Sequence, residues 1–211
     1  MNKKIIIFDY DGVIVDSLEI YAKLFVEACK KYGYQQINSK EKFLKLFERN
    51  IYDSMMIMGI NEDKIKKILN HLEIISMRHQ HRIVFFDGMK EVLSSLSNKH
   101  RIIIVTSNIT SVVEDFVKKQ NVIYDEVIGA DKELSKVKRI ESIKLKYKSA
   151  DYFYIGDTMG DIIEGKLAGV KTVAVSWGWH NTDKLKSVSP DYIVKSPSEL
   201  IELFNKHIDN V

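Results

Sequence analysis

The feature that most constrains this chain is an alternation of two kinds of segment. Short, continuous apolar runs take turns with stretches of helical period. Lys4–Phe8 (KIIIF), Ile102–Val105 (IIIV), Glu126–Ile128 (EVI), Tyr152–Ile155 (YFYI) and Thr172–Val175 (TVAV) are rich in β-branched or aromatic residues, and a weaker run sits at Tyr192–Val194. Runs that do not alternate apolar with polar read as strands covered on both faces. Between them, Val137, Ile140, Ile143 and Tyr147 recur at three- and four-residue steps, as do Ile162, Ile163 and Leu167. A last helix is signalled by Ser196 as N-cap, Pro197 at the first helical position and Glu199 closing a capping box, ahead of Leu200, Ile201, Phe204 and Ile208. Strands alternating with helices predict an α/β fold with a parallel sheet flanked by helices.

One segment breaks the rhythm. From Ser17 to Arg82 there is no convincing strand. Leu18, Tyr21, Ala22, Phe25, Cys29 and Tyr32 form one helical stripe, and Ile65, Ile68, Leu69, Leu72 and Ile75 form another. Phe43–Phe47 and Ile51–Met58 read as shorter helices between them. The expected organisation is a core of residues 1–16 and 83–211 interrupted by an all-helical domain over residues 17–82. A chain of 211 residues has room for both, and 45% hydrophobic content excludes wholesale disorder. The lone Cys29 excludes an intrachain disulfide and any multi-cysteine metal site. A net charge of +3 argues for neither a nucleic-acid nor a membrane partner. Over Ser17–Val84, 12 basic residues face 8 acidic ones, so the small positive excess lies in the insert, where a solvated lysine face explains it. The basic start Asn2-Lys3-Lys4 resembles a leader, but its apolar run stops at Asp9. The expected compartment is the cytoplasm, which suits an unpaired cysteine.

In an open parallel sheet, ligands bind beyond the carboxyl ends of the strands. The first strand is followed by Asp9-Tyr10-Asp11-Gly12 and the second by Thr106-Ser107-Asn108. Lys136 and Lys138 open the helix after the third, and Gly156-Asp157-Thr158-Met159-Gly160-Asp161 comes after the fourth. Four carboxylates, a hydroxyl and a cation thus converge on one edge. Such carboxylates repel at short range and call for a cation. An all-oxygen donor set without histidine or thiolate selects a hard ion, and Mg²⁺ is the usual one. Thr106, a lysine and the amides beyond the strand end can then stabilise a phosphoryl group. Two carboxylates spaced as Asp9 and Asp11 suit a division of labour between nucleophile and proton carrier.

The string FDYDGVIVDS (Phe8–Ser17) resembles the first motif of the haloacid dehalogenase superfamily. VTSN (Val105–Asn108) resembles its second motif and GDTMGD (Gly156–Asp161) its fourth. AGVKTVAVSWGW (Ala168–Trp179) is similar to the stretch after the fourth motif in phosphoglycolate-phosphatase-like members. The resemblance implies a Rossmann-like core with a helical cap at residues 17–82. It implies a Mg²⁺-dependent phosphatase acting on a small phosphorylated metabolite such as phosphoglycolate through an aspartyl-phosphate. Asp9 would be the nucleophile. Asp11 would be general acid and then base, giving the metal its backbone carbonyl. Thr106 would hold the phosphoryl group, with Ser107, Asn108 and the sharply turning Gly12 beside it. Asp157 would bind the metal, and Asp161 would order a metal-bound water or the lysine. The family's third motif often reads Lys-Pro, and no proline occurs here; Lys136 is the first choice for its lysine and Lys138 the second.

Other residues have plainer readings. Asp16-Ser17 is expected to N-cap the first insert helix. His79 and His81 are spaced to lie on different helix faces, so with His71 they read as surface residues and not as a metal site. Trp177 and Trp179 read as packing residues, Met55, Met56 and Met58 as insert packing or pocket lining, and Arg49 as a candidate contact for a substrate anion. Two other functions compete: a phosphomutase of the β-phosphoglucomutase type, which shares every core residue, and a non-catalytic phosphate-binding protein on the same fold, against which the intact set of Asp9, Asp11, a lysine and Asp157 argues. A monomer or homodimer is expected.

Overall fold

The computed structural model describes residues 3–148 and 151–206. Strand β1 (Ile5–Phe8) leads into a short strand β2 (Val15–Asp16) and then four helices: α1 (Leu18–Lys31), α2 (Lys40–Lys45), α3 (Ile51–Ile57) and α4 (Glu62–His79). Strand β3 (Val84–Phe85) returns beside β2. Next come α5 (Met89–Ser97), β4 (Arg101–Val105), α6 (Thr110–Lys119), β5 (Glu126–Ile128), α7 (Lys136–Lys146), β6 (Tyr152–Gly156), α8 (Met159–Leu167), β7 (Lys171–Val175), α9 (Thr182–Ser187), β8 (Tyr192–Val194) and α10 (Pro197–Lys206). Six strands form one sheet in the order β5-β4-β1-β6-β7-β8, and every neighbouring pair is parallel. The order reverses at β1, so the loops after β1, β4 and β6 open toward one another.

Strand geometry explains the continuous apolar runs. Ile6 and Phe8 point to one face and pack with Val92, Leu93 and Leu96 of α5 and Leu200 and Phe204 of α10. Ile5 and Ile7 point to the other and meet Ile140 and Ile143 of α7. Both faces are covered, so neither favours a polar residue. The helical insert has its own core, in which Tyr21, Phe25, Phe43, Ile65, Ile68 and Leu72 are buried. That core also takes in Ile109, Val112 and Trp179 from beyond the insert, so the helices sit on the carboxyl edge of the sheet.

The chain leaves for the insert and returns from it through a two-stranded ribbon, in which Val15 and Asp16 pair antiparallel with Phe85 and Val84. Two local expectations change. Ser196 and Glu199 do not form a capping box, because the Glu199 carboxylate accepts from the Lys195 amide instead. Leu167 is 69% exposed; the buried face of α8 carries Asp161, Ile162 and Gly165 instead. Ile208 lies outside the described residues.

Candidate active site

Asp9 comes directly after β1, and its amide continues the sheet by donating to the Ile155 carbonyl at 2.9 Å. Asp157 comes directly after β6, and its neighbour Thr158 caps α8 in a reciprocal box with Asp161. Asp9, Asp157 and Asp161 are all buried, and each offers an oxygen within 4.8 Å of the others. Lys136, the first residue of α7, is buried between two of them. Its Nζ lies 2.6 Å from Asp161 Oδ1 and 3.2 Å from Asp9 Oδ2. Lys138, by contrast, points to the surface, where it pairs with Glu133 at 3.7 Å. The helix starts at Lys136, so two residues along the turn separate a buried lysine from an exposed one.

Glycines let these groups approach. Gly12 has φ +80, and a Cβ there would lie 2.1 Å from Asp157 Oδ2. A Cβ on Gly178 would lie 2.3 Å from the same oxygen. One on Gly156 would lie 2.2 Å from the Asp161 Cβ. Asp157 is thus cradled by bare backbone on two sides, and its Oδ2 accepts from the Trp179 amide at 2.6 Å.

The three carboxylates are not equivalent. Asp161 is saturated: Oδ1 accepts from Lys136 and Tyr154, and Oδ2 from the amide and hydroxyl of Thr158. Burial works against its charge, but Lys136 and these donors outweigh burial and hold its pKa below the usual carboxylate range. Asp9 Oδ1 and Asp157 Oδ1 are buried without a hydrogen-bond partner. Burial pushes the Asp9 carboxyl up to about 8 against the pull of Lys136, with Asp161 and Asp11 adding to the rise. Burial, then Asp161 and Asp9, raise that of Asp157. Burial works against the charge on Lys136, yet Asp161 and Asp9 keep its pKa above the ordinary value. Two buried carboxylates with an unpartnered oxygen each, and with raised pKa values, form a set that could hold a cation together with Asp161. The hard all-oxygen set fits Mg²⁺.

Asp11 stands outside this triad. Its Oδ1 accepts from Ser17 Oγ at 2.6 Å and its Oδ2 from Asn108 Nδ2 at 3.5 Å. This corrects the reading of Ser17: it occupies the N-cap position of α1 but makes no side-chain cap bond, because its hydroxyl serves Asp11. Burial raises the Asp11 pKa to about 6, while Ser17 and Asn108 oppose the rise. Thr106 is fully buried at the end of β4, and its Oγ1 accepts from the Asn108 amide at 3.0 Å. Arg139, also buried, donates to the Thr106 carbonyl and anchors this strand end.

The insert closes the site from above. Trp179 packs among Tyr21, Phe43 and Phe47. Tyr52 donates to the Ser107 carbonyl at 2.5 Å, and Asn50 Nδ2 donates to Glu164 Oε1 at 2.6 Å. Beside the centre lies a cleft of about 950 Å³ between insert and core, lined among others by Arg49, Asn50, Met56, Lys66, Lys138 and Glu164. Arg49 is exposed there, and Met55 is buried in the insert core. His79 engages the Ile75 carbonyl and His71 lies beside Lys31 Nζ, so neither enters the acidic cluster. Sequence reasoning missed Asn50, Glu164, Arg139 and the Trp179 amide. Only Glu164 left a trace, standing one turn beyond Asp161 on the same helix face.

A family model for haloacid dehalogenase-like hydrolases matches residues 6–175. The chain belongs to that family. As a haloacid dehalogenase-like hydrolase it is an enzyme, and its fold matches solved relatives. A structure described as a predicted phosphatase from Clostridium acetobutylicum superposes with a TM-score of 0.80, at 22% identity, covering 98% of this chain and 100% of that one. The phosphoglycolate phosphatase of Synechococcus elongatus is 23% identical, covering 93% of this hydrolase and 95% of the relative. The pyrophosphatase PpaX of Bacillus mycoides is 25% identical, covering 98% and 99%. Among the described residues, no helix of this hydrolase is long and apolar enough to cross a membrane.

Proposed function

We propose that this hydrolase is a Mg²⁺-dependent phosphatase that passes the phosphoryl group of a small monoester first to Asp9 and then to water. The observation that carries this reading is the pair of orphaned oxygens, Asp9 Oδ1 and Asp157 Oδ1, in a buried cluster that already contains its lysine. Asp9 and Asp157 would hold the ion with the Asp11 backbone carbonyl, while Asp161, its oxygens already occupied, orders the lysine. Bound Mg²⁺ would supply the positive charge that lets Asp9 ionise beside its neighbours and accept a phosphoryl dianion.

The chain's own residues do the rest. Asp9 attacks phosphorus as the ester P–O bond breaks, and Asp11 gives its proton to the departing oxygen. Water then attacks phosphorus, the Asp9–phosphorus bond breaks, and Asp11 takes the water's proton. A carboxyl that burial lifts to about 6 is suited to both directions near neutral pH. Thr106 Oγ1 accepts from the Asn108 amide and so keeps its own proton for a phosphoryl oxygen. Lys136, shared between Asp9 and Asp161, offsets charge that develops on the phosphoryl group. The setting that suits this reading is cytoplasmic, with Cys29 buried and unpaired, and the protein a monomer or homodimer with no nucleic-acid or membrane partner.

The test is a panel of phosphate monoesters, with phosphoglycolate and pyrophosphate included because relatives carry those names. Hydrolysis that EDTA abolishes, together with one phosphoryl group trapped on the Asp9 peptide, is expected. Failure on the whole panel with Mg²⁺ present overturns the reading in favour of a phosphate-binding protein. Turnover that needs a bisphosphorylated sugar would place the chain with the mutases.

A further inference from the structure

In this structure Asp9, Asp157 and Asp161 are sealed beneath the insert, and the large opening beside them is the cleft that Asn50 and Glu164 help to line. Both of these residues are themselves buried, and they are joined by a 2.6 Å hydrogen bond across the boundary between insert and core. Asn50 is fixed on its own side: its Oδ1 caps α3 by accepting from the Tyr52 and Asp53 amides at 2.9 and 3.2 Å. Its Nδ2 reaches two core elements. One is Glu164 on α8, the helix that carries Asp161. The other is the Leu134 carbonyl at 3.5 Å, just ahead of the turn that launches Lys136. Glu164 in turn lies close enough for its charge to act on Lys136. A single amide of the insert therefore touches α8 and the residue two positions ahead of α7, the two helices whose side chains meet in the Lys136–Asp161 ion pair. Insert and core are joined through the ribbon of β2 with β3, and a displacement of the insert would take this amide away from both.

We infer that Asn50 is a positioning residue: its amide on Glu164 latches the insert shut and registers α7 against α8, so that Lys136 is set between Asp9 and Asp161 only when the insert is closed. The inference rests on the phosphatase reading for its kinetic part alone.

The experiment exchanges the polarity of the pair. Asn50→Asp keeps a good helix cap but removes the donor and sets one carboxylate against another. Glu164→Gln keeps an acceptor and adds a donor. In Asn50→Asp, kcat/KM falls by about tenfold to a hundredfold, the span for losing a hydrogen bond to a charged group. The loss is carried mostly by kcat. In the double variant, the new amide at 164 donates to the new carboxylate at 50, and most of the loss is recovered. Ser111→Ala, which removes an exposed link from core to Glu73 of the insert, leaves both constants unchanged. A second readout needs no substrate. In a Trp177→Phe background, acrylamide quenching reports on Trp179 alone; it rises in Asn50→Asp and returns in the double variant. A double variant as impaired and as quenchable as Asn50→Asp overturns the latch, as does an Asn50→Asp protein that is wild-type by both measures. Circular dichroism of each variant separates these outcomes from misfolding. If the wild type hydrolyses no phosphate ester, the phosphatase reading fails while the quenching series still decides the latch.

Discussion

The two ends of the central sheet both bury polar atoms without partners, and the contrast between them is instructive. At the carboxyl end the orphaned carboxylate oxygens are Asp9 Oδ1 and Asp157 Oδ1, with the Trp179 indole nitrogen also unpartnered beside them; at the amino end the orphans are both ring nitrogens of His100, which precedes β4. At the carboxyl end, like charges crowd together, glycine backbone clears the space, and a lysine is locked in by two carboxylates. At the amino end, a single imidazole packs against Phe204 with Lys4, Lys99 and Lys3 in its field. An imidazole can stay neutral at modest cost, whereas two ionised carboxylates cannot share a dry pocket. On the proposed reading, the same symptom marks a place for a cation at one end and a silenced base at the other.

The sharpest way to break this contrast is to remove the nucleophile. Asp9→Asn should abolish turnover and covalent phosphate capture, a loss on the order of 10⁴-fold or more. It should not lower the melting temperature, since it relieves repulsion within the acidic cluster. Activity retained in this variant would mean that the orphaned oxygens carry no chemistry. Next in size come Gly12→Ala and Gly178→Ala. Each added Cβ would lie within 2.3 Å of Asp157 Oδ2, and Gly12 also has φ +80. Overpacking at both positions, with left-handed strain added at Gly12, should cost more than about 2 kcal/mol and misplace Asp157. Thermal melts and Mg²⁺-dependent rates would show both effects; a glycine replaceable without penalty would mean the cradle is looser than these distances imply.

At the amino end the prediction concerns pH. Burial, with the lysines adding, lowers the His100 pKa from 6.5 to about 4. The folded state then binds fewer protons than the unfolded state between those values, so stability is full above pH 6.5 and falls as pH drops toward 4. The ceiling is about 3 kcal/mol. His100→Leu should flatten that part of the stability profile; an unchanged slope would assign the acid sensitivity elsewhere. The carboxyl end should respond to metal instead. Mg²⁺ at a hundred times its dissociation constant should stabilise the fold by about 2.7 kcal/mol. Melting with and without EDTA measures this, and Asp157→Asn should remove the response while His100→Leu keeps it.

Physical reasons decide which parts of this molecule are legible in its sequence. Strands covered on both faces write themselves as continuous apolar runs, so β1, β4, β6 and β7 can be read directly, with even the weak β8 in place. Residues at strand ends are located once the strands are, which is why Asp9, Thr106 and Asp157 can be placed on one edge. Contacts across the insert boundary cannot be read. Asn50 and Glu164 are 114 positions apart, and no periodicity links a helix cap to a helix face on another layer. Ser17 shows a subtler failure. The residue stands at the cap position the sequence suggests, but its hydroxyl has a better acceptor in the Asp11 carboxylate than in a helix amide.

The smallest effect separates two lysines that the sequence alone leaves as alternatives. Their difference depends on where α7 begins, and a shift of one residue in that start would turn each by about 100° around the axis. With the helix starting at Lys136, Ser135 caps it by accepting from the Lys138 amide at 3.3 Å, which fixes the phase. Lys136→Met should then leave Asp9 and Asp161 facing each other without their cation, and turnover should collapse. Lys138→Met removes only an exposed pair with Glu133, and surface pairs contribute about 0–1 kcal/mol. Its melting temperature should stay within a degree or so of wild type, and kcat should hold. Because Lys138 also borders the cleft, a change confined to KM would mark contact with the leaving group, whereas a fall in kcat matching that of Lys136→Met would show that Lys138, and not Lys136 alone, serves the acidic cluster.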